Sequence, residues 1–334
     1  MKLALDAMGG DSAPASVVQG VLSALPHTPD SYSFILVGDE NRIRQEFNGS
    51  VPDRISIHHT SQIVEMTDRG ATVLKAKPDS SIVQGIRLVK DQQADGFISA
   101  GHTGAVLTAS LLLLGRIQGV KRPALGAYIP TPVGGKVLCD VGANPDAKPL
   151  HMLQFALMSM DYIVRIEGVS QPKIGLVNIG EEPTKGSELY QETHQLFQEK
   201  LPNFIGNVEG RHLMDCAADI LICDGFVGNT LLKFAEAWIT ILGQEIKSRS
   251  LANLRTKLGA LFLKPVFKDL QKQYDYEEHG GTPLLGVNGI SIVCHGSSGP
   301  KSIKNSIAVA KKCIDNKLIA QTEHRLADYQ GIPT

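Results

Sequence analysis

The chain has 334 residues, 43% of them hydrophobic and 20% charged, which is enough apolar material for one large core or two domains. Its 33 basic and 34 acidic residues leave a net charge of −1, without the basic excess of a general nucleic-acid binder. Five cysteines, none in C-x-x-C spacing, exclude a zinc framework or a thioredoxin-type site. With no signal-peptide pattern at the start, they fit a reducing cytoplasm.

One local grammar repeats along the chain. Leu3 to Leu5 reads as a buried strand, Met8-Gly9-Gly10-Asp11 as a loop, and Pro14 to Leu25 as a helix with proline in its first turn. Phe34 to Val37 is a second strand, followed by Gly38-Asp39-Glu40. Gly96 to Ser99 leads into Ala100-Gly101-His102-Thr103-Gly104 and an apolar helix. Lys136 to Cys139 leads into Asp140-Val141-Gly142-Ala143-Asn144. Ile174 to Val177 precedes Asn178 to Gly186 and a helix from about Ser187. Ile220 to Cys223 precedes Asp224-Gly225-Phe226-Val227-Gly228-Asn229 and another helix. Ile290 to Val293 precedes His295-Gly296-Ser297-Ser298-Gly299-Pro300 and a basic helix.

Continuously apolar strands alternating with helices predict an α/β fold, a doubly wound and mostly parallel sheet. Right-handed crossovers then place all these loops along one edge, at the carboxyl ends of the strands, where such sheets bind ligands. Glycine loops opening helices offer backbone N–H groups to an anion, so a phosphate or acyl phosphate is the expected ligand. No G-x-x-x-x-G-K-[ST] sequence is present, which leaves out a Walker-type nucleotide site. The longest apolar stretch, Ala105 to Leu114, falls short of the roughly 20 residues that span a bilayer.

Residues 247–272 break the pattern, with seven basic residues and one acid, a local charge of +6. Leu258 to Phe267 lies in the middle, and Gly259 and Pro265 disfavour one uninterrupted helix there. The expectation is a protruding basic amphipathic helical hairpin. Leu258, Leu261, Phe262 and Leu263 would form a tip that touches anionic lipid, or else a dimer contact.

The motifs together resemble the bacterial phosphate acyltransferase family of phospholipid synthesis. The matching segments are Leu5 to Asp11, Asp79-Ser80-Ser81, Ser99 to Ala105, Arg122-Pro123-Ala124, Asp140 to Asn144 and Asn178 to Gly186. Gly206 to Gly210, Asp224 to Asn229, Gly280 to Gly286 and His295 to Ser298 follow in the same order. The resemblance implies transfer of a fatty acyl group from acyl carrier protein to inorganic phosphate, for use by a membrane glycerol-phosphate acyltransferase. It also implies a fold like that of the isocitrate and isopropylmalate dehydrogenases, a homodimer, no nucleotide or other cofactor, and peripheral membrane association. Residues 1–334 would be a single catalytic unit, with two lobes around a central cleft as one arrangement. Three positions depart from the family pattern: His102 stands where asparagine is common, His212 where aspartate is common, and His279 where tyrosine is usual.

The chemistry asks for positioning, charge screening and oxyanion donors, because phosphate is a nucleophile at neutral pH and a thiolate is a good leaving group. No metal is required. Lys185 is the candidate positive charge near phosphate; the alternative is a lysine satisfied by Glu181 or Glu182. Asn229 and His295 complete the catalytic candidates, His295 as a donor to phosphate or to the leaving thiolate, or as a loop anchor. Gly9, Gly10, Gly101, Thr103, Gly104, Asn144, Asn178, Ser297 and Ser298 are candidates for binding phosphate or acyl phosphate. Cys294 beside His295 is expected in the core, since neighbours in a strand point to opposite faces. A short-chain phosphotransacetylase and a non-catalytic membrane-docking scaffold are the competing readings.

Overall fold

The computed structural model describes residues 1–274 and 276–329, with the side chains of Gln271, Lys272 and Tyr276 outside the description. The described strands are β1 (Lys2–Asp6), β2 (Ser33–Gly38), β3 (Ile55–His59), β4 (Gly96–Ser99), β5 (Ala124–Thr131) and β6 (Gly134–Cys139). They continue with β7 (Ile174–Asn178), β8 (Phe204–Glu209), β9 (Ile220–Ile222), β10 (Thr282–Leu285) and β11 (Ile290–Val293). They form one mixed, mostly parallel sheet of 11 strands in the order β3-β2-β1-β4-β11-β10-β5-β6-β9-β7-β8.

Strand alternation sends side chains to the two faces in turn. Leu3, Leu5, Phe34, Leu36 and Ile98 enter one apolar cluster with Val17, Val18 and Val21 of the helix Ala15–Ala24. Ala4, Ile35, Val37 and Phe97 enter a second cluster with Ile82, Val83 and Ile86 of the helix Ser81–Lys90. Helices therefore cover both faces, and the central strands are apolar throughout because neither face meets water.

The expected single edge does not hold. β3, β2, β1, β4 and β11 run parallel to one another, as do β6, β9, β7 and β8. Between the two blocks, β10 is antiparallel to β11 and β5, and β5 is antiparallel to β6. Three reversals turn the second block over, so the strand-end loops fall into two sets on opposite edges of the sheet. β5 and β10, which the sequence reading had not drawn as strands, cause this.

The segment after β9 also differs from expectation. Its first helix spans Gly225–Ser250 and its second Leu254–Tyr274, so the second runs unbroken through Gly259 and Pro265. The turn lies at residues 251–253, which places Leu258, Leu261, Phe262 and Leu263 on the shaft of the second helix. All four are exposed, as are Phe234, Trp238 and Ile239 on the first helix. Gly259 and Pro265 both lower helix propensity, yet the helix continues through them, so the local signal did not place the break.

Candidate active site

The first set of loops closes around glycine. A Cβ on Gly9 would lie 2.6 Å from the Gly101 backbone nitrogen and 2.3 Å from Asp6 Oδ2, so the loops after β1 and β4 touch backbone to backbone. Gly10 has φ of +105° and faces the Gly296 carbonyl, to which Asp11 N–H donates at 2.8 Å. Asp6 is buried at the centre, accepting from Met8 N–H (3.0 Å) and Ser99 Oγ (2.7 Å). Burial pushes its carboxyl above the usual carboxylate range, against the pull of those hydrogen bonds.

His102 caps the helix Thr103–Leu113. Its Nδ1 accepts from Ala105 N–H (3.2 Å), and Nε2–H donates to the Asp68 carbonyl (3.0 Å). An asparagine would offer the same cap acceptor. Thr103 and Gly104 open this helix, with Thr103 exposed and Gly104 against Gly70.

In the third loop of this set, His295 Nδ1 accepts from Ser297 Oγ (2.7 Å), and Nε2 lies 3.6 Å from Glu236 Oε2. Both ring nitrogens of His295 are thereby engaged within the protein. Ser298 is buried, accepting from Ser302 Oγ at 3.1 Å. Cys294 is buried with its Sγ 3.1 Å from Ser306 Oγ, and burial pushes its thiol up to about 11. It is a core thiol that stays protonated at neutral pH.

The second set of loops is organised by two aspartates. Asp140, fully buried, accepts from the backbone N–H groups of Leu125 (2.9 Å), Ala143 (3.1 Å) and Asn144 (2.6 Å), and from Asn144 Nδ2 (2.9 Å). Burial raises its carboxyl, and these donors oppose the rise. Asn144 Nδ2 also donates to the Pro123 carbonyl (2.7 Å), just before β5, so this amide is spent within the protein. Asp224 caps the helix Gly225–Ser250 through the N–H groups of Phe226 and Val227, and its Oδ2 accepts from the Tyr190 hydroxyl at 2.6 Å. Burial, then that hydrogen bond, hold the Tyr190 phenol above its usual range and so protonated.

Tyr190 joins the helix after the Lys185 loop to the start of the next helix, which carries Asn229. Asn178 spans its own loop, with Nδ2 on the Lys185 carbonyl (3.1 Å) and Oδ1 receiving Ile179 N–H (2.8 Å). Lys185 is about half exposed, 4.0 Å from Glu182 Oε2, with its stem across Gly180. Asn229 lies against Gly142, where a Cβ would be 3.5 Å away, and its partly buried amide makes no hydrogen bond with the described residues.

One helix face links the two sets. Asn229 and Glu236 are seven residues apart on the helix Gly225–Ser250, hence on the same face and separated by about 10 Å. Asn229 meets the second set and Glu236 meets His295 of the first. The opposed loop sets thus converge along two turns of one helix. The second set offers a free amide at Asn229 and, in a neighbouring loop, the half-exposed Lys185, which with glycine N–H groups can screen phosphate and hold a carbonyl oxygen. Asp140, Tyr190, Asp224 and Glu236 escaped the sequence reading. Asp140 and Asp224 did carry a signal, an aspartate directly between a buried strand and a glycine-containing loop.

Comparison with known proteins agrees with this chemistry. Residues 1–321 match the family described as "Fatty acid synthesis protein". A phosphate acyltransferase of Desulfitobacterium hafniense is 50% identical over 328 residues, covering 98% of both chains. One of Heliobacterium modesticaldum is 44% identical, again over 98% of each. Among solved structures, a phosphotransacetylase from Streptococcus pyogenes aligns with a TM-score of 0.62 at 15% identity, covering 94% of each chain. A 4-hydroxythreonine-4-phosphate dehydrogenase from Klebsiella pneumoniae aligns at 0.52 and 11% identity, covering 94% of this chain and 97% of that one. At those identities the structural likeness speaks for the fold, whereas the full-length relatives speak for the activity. The chain belongs to the phosphate acyltransferase family of fatty acid and phospholipid synthesis.

Proposed function

We propose that the chain transfers a long-chain fatty acyl group from acyl carrier protein to inorganic phosphate by direct attack. A phosphate oxygen bonds to the thioester carbonyl carbon, the carbon–sulfur bond breaks, and the thiolate leaves to take up a proton. Lys185 screens the phosphate charge, and the Asn229 amide donates to phosphate or to the oxyanion. The uncommitted Asn229 amide, placed between the two loop sets, is the observation that carries this reading. Holding the two reactants together is worth up to ~7–11 kcal/mol, and one oxyanion donor about 2.7–4 kcal/mol. No thiol intermediate is needed, consistent with the buried and protonated Cys294.

The two helices after β9 support a homodimer, as part of the same proposal. Their exposed apolar sides match a second copy of the same segment, while the turn at residues 251–253 and its basic flanks meet anionic lipid. The product is then released beside a membrane glycerol-phosphate acyltransferase. The whole chain acts as one catalytic unit, with the two strand blocks as lobes around the cleft.

The test is acyl phosphate formation from palmitoyl-acyl carrier protein and phosphate, trapped as hydroxamate with hydroxylamine, without added nucleotide. Product that requires both phosphate and protein is expected. Turnover of acetyl-CoA with none of palmitoyl-acyl carrier protein would replace this reading with a short-chain phosphotransacetylase. Turnover of neither would overturn the reading.

A further inference from the structure

The segment Gly206 to Gly210 has no part in the cleft so far, although it ends β8 directly beside the Lys185 loop. Asn207 is buried, and its Nδ2 donates to the Glu182 carbonyl at 2.8 Å. That carbonyl also accepts the backbone N–H of Lys185, at 3.1 Å. Asn207 therefore shares an acceptor with the backbone of Lys185, the residue proposed to screen phosphate. On its other side, Asn207 Oδ1 lies 2.9 Å from Nδ1 of His194, a buried residue of the helix Glu188–Lys200.

The orientation of this chain follows from what each group can do. A carbonyl only accepts, so Glu182 fixes the amide NH2 of Asn207 on its own side. Oδ1 then faces His194, whose Nδ1 must carry a proton and donate. A His194 protonated on Nε2 alone would present a lone pair to Oδ1, and the amide would turn its oxygen toward the Glu182 carbonyl. The His194 ring is held edge-on to Phe204, with centroids 5.1 Å apart.

We infer that His194 and Asn207 are positioning residues, which set the placement of Lys185 for phosphate through the Glu182 carbonyl. The inference rests on the proposed role of Lys185 and adds two residues from outside the cleft to it. Neither is proposed to touch the reacting atoms. Their effect is on the geometry of the cation.

Inorganic phosphate binding to the full chain, measured by isothermal titration calorimetry, separates the possibilities, with folding checked by circular dichroism. Lys185→Ala is expected to weaken phosphate at least fivefold. Asn207→Asp, which places a carboxylate oxygen against the Glu182 carbonyl, is expected to weaken it to a similar extent. Combining the two should add little, because both remove the same contact. His194→Leu should weaken phosphate, and His194→Asn should restore it, since its Nδ2 replaces Nδ1 as donor. The KM for acyl carrier protein substrate should change less than twofold in Asn207→Asp and His194→Leu. If Lys185→Ala leaves phosphate binding unchanged, the role of Lys185 itself is wrong. If Lys185→Ala weakens binding while folded Asn207→Asp and His194→Leu do not, the positioning inference is wrong and the role of Lys185 stands. Equal weakening by His194→Asn and His194→Leu would likewise overturn the part given to His194.

Discussion

At Gly228 the first turn of the long helix presses on the Asp140 carbonyl, where a Cβ would lie only 1.9 Å from the oxygen. Backbone cannot yield as the end of a side chain can. Gly228→Ala is therefore expected to lower stability by about 1–3 kcal/mol, read as a drop in Tm, and to displace Asn229 from Gly142. Asp6 gives a prediction of a different kind. Its carboxyl is raised in the fold from its ordinary 3.8, so the native state keeps a proton that the unfolded chain releases. Its contribution to stability is complete below 3.8 and is lost as pH rises through the native value. Asp6→Asn should flatten the fall in Tm with rising pH above that point; an unchanged slope would show that Asp6 does not ionise in that window. At this scale the loops of the candidate site were legible, because glycine and asparagine loops after apolar strands announce themselves. The fate of each amide was not. Asn144 and Asn229 look alike in sequence, but one is consumed by Asp140 and Pro123 and the other is left uncommitted. Only the strand register and the long-range pairing decide which.

Among the elements, β1, β4 and β11 were readable as apolar runs followed by polar turns, and β4 and β11 keep the predicted bounds of Gly96–Ser99 and Ile290–Val293. β5 and β10 were not. Ala124–Thr131 ends in Ile-Pro-Thr, and Thr282–Leu285 is four residues with a proline, so neither carries the apolar run that marks a buried parallel strand. The helices after β9 were anticipated as a hairpin, yet their bounds were set by the charge run and not by the turn. The turn at 251–253 makes the lipid-contact proposal specific. Leu251→Gln with Leu254→Gln should reduce sedimentation with anionic vesicles more than Leu263→Gln, which sits about two turns farther along the shaft. Turnover of soluble substrate should be kept in both variants. Equal effects at both places would put the contact along the side of the helix and not at its end.

For the whole molecule, the reversal of the sheet at β10 and β5 decides where the strand-end loops lie. A uniform parallel sheet would line up every strand-end loop on one edge, as the periodicity alone predicts. Here two blocks face opposite ways, and the helix Gly225–Ser250 brings their loops to one face through Asn229 and Glu236. Reading the fold class from sequence was within reach because alternation of buried strands and helices is local information. Reading the reversal was not, since it depends on pairing between strands more than 100 residues apart, such as β5 with β10. The same helix continues outward into the segment proposed for dimer and membrane contact. In the proposed arrangement the candidate site and the lipid-contacting end share this one helix, and the acyl phosphate would form a few turns from the membrane.

The proposed roles are tested by the phosphate dependence of acyl phosphate formation in Lys185→Ala, Asn229→Ala and His295→Ala, with each variant checked for native folding. Lys185→Ala and Asn229→Ala are expected to lower kcat/KM for phosphate by about 10²-fold or more, the scale of a lost transition-state contact. His295→Ala, whose ring nitrogens are engaged by Ser297 and Glu236, should lose no more than about tenfold, short of that scale. Near-normal turnover in Lys185→Ala and Asn229→Ala, with the large loss in His295→Ala instead, would overturn these roles and place the chemistry on the first set of loops alone.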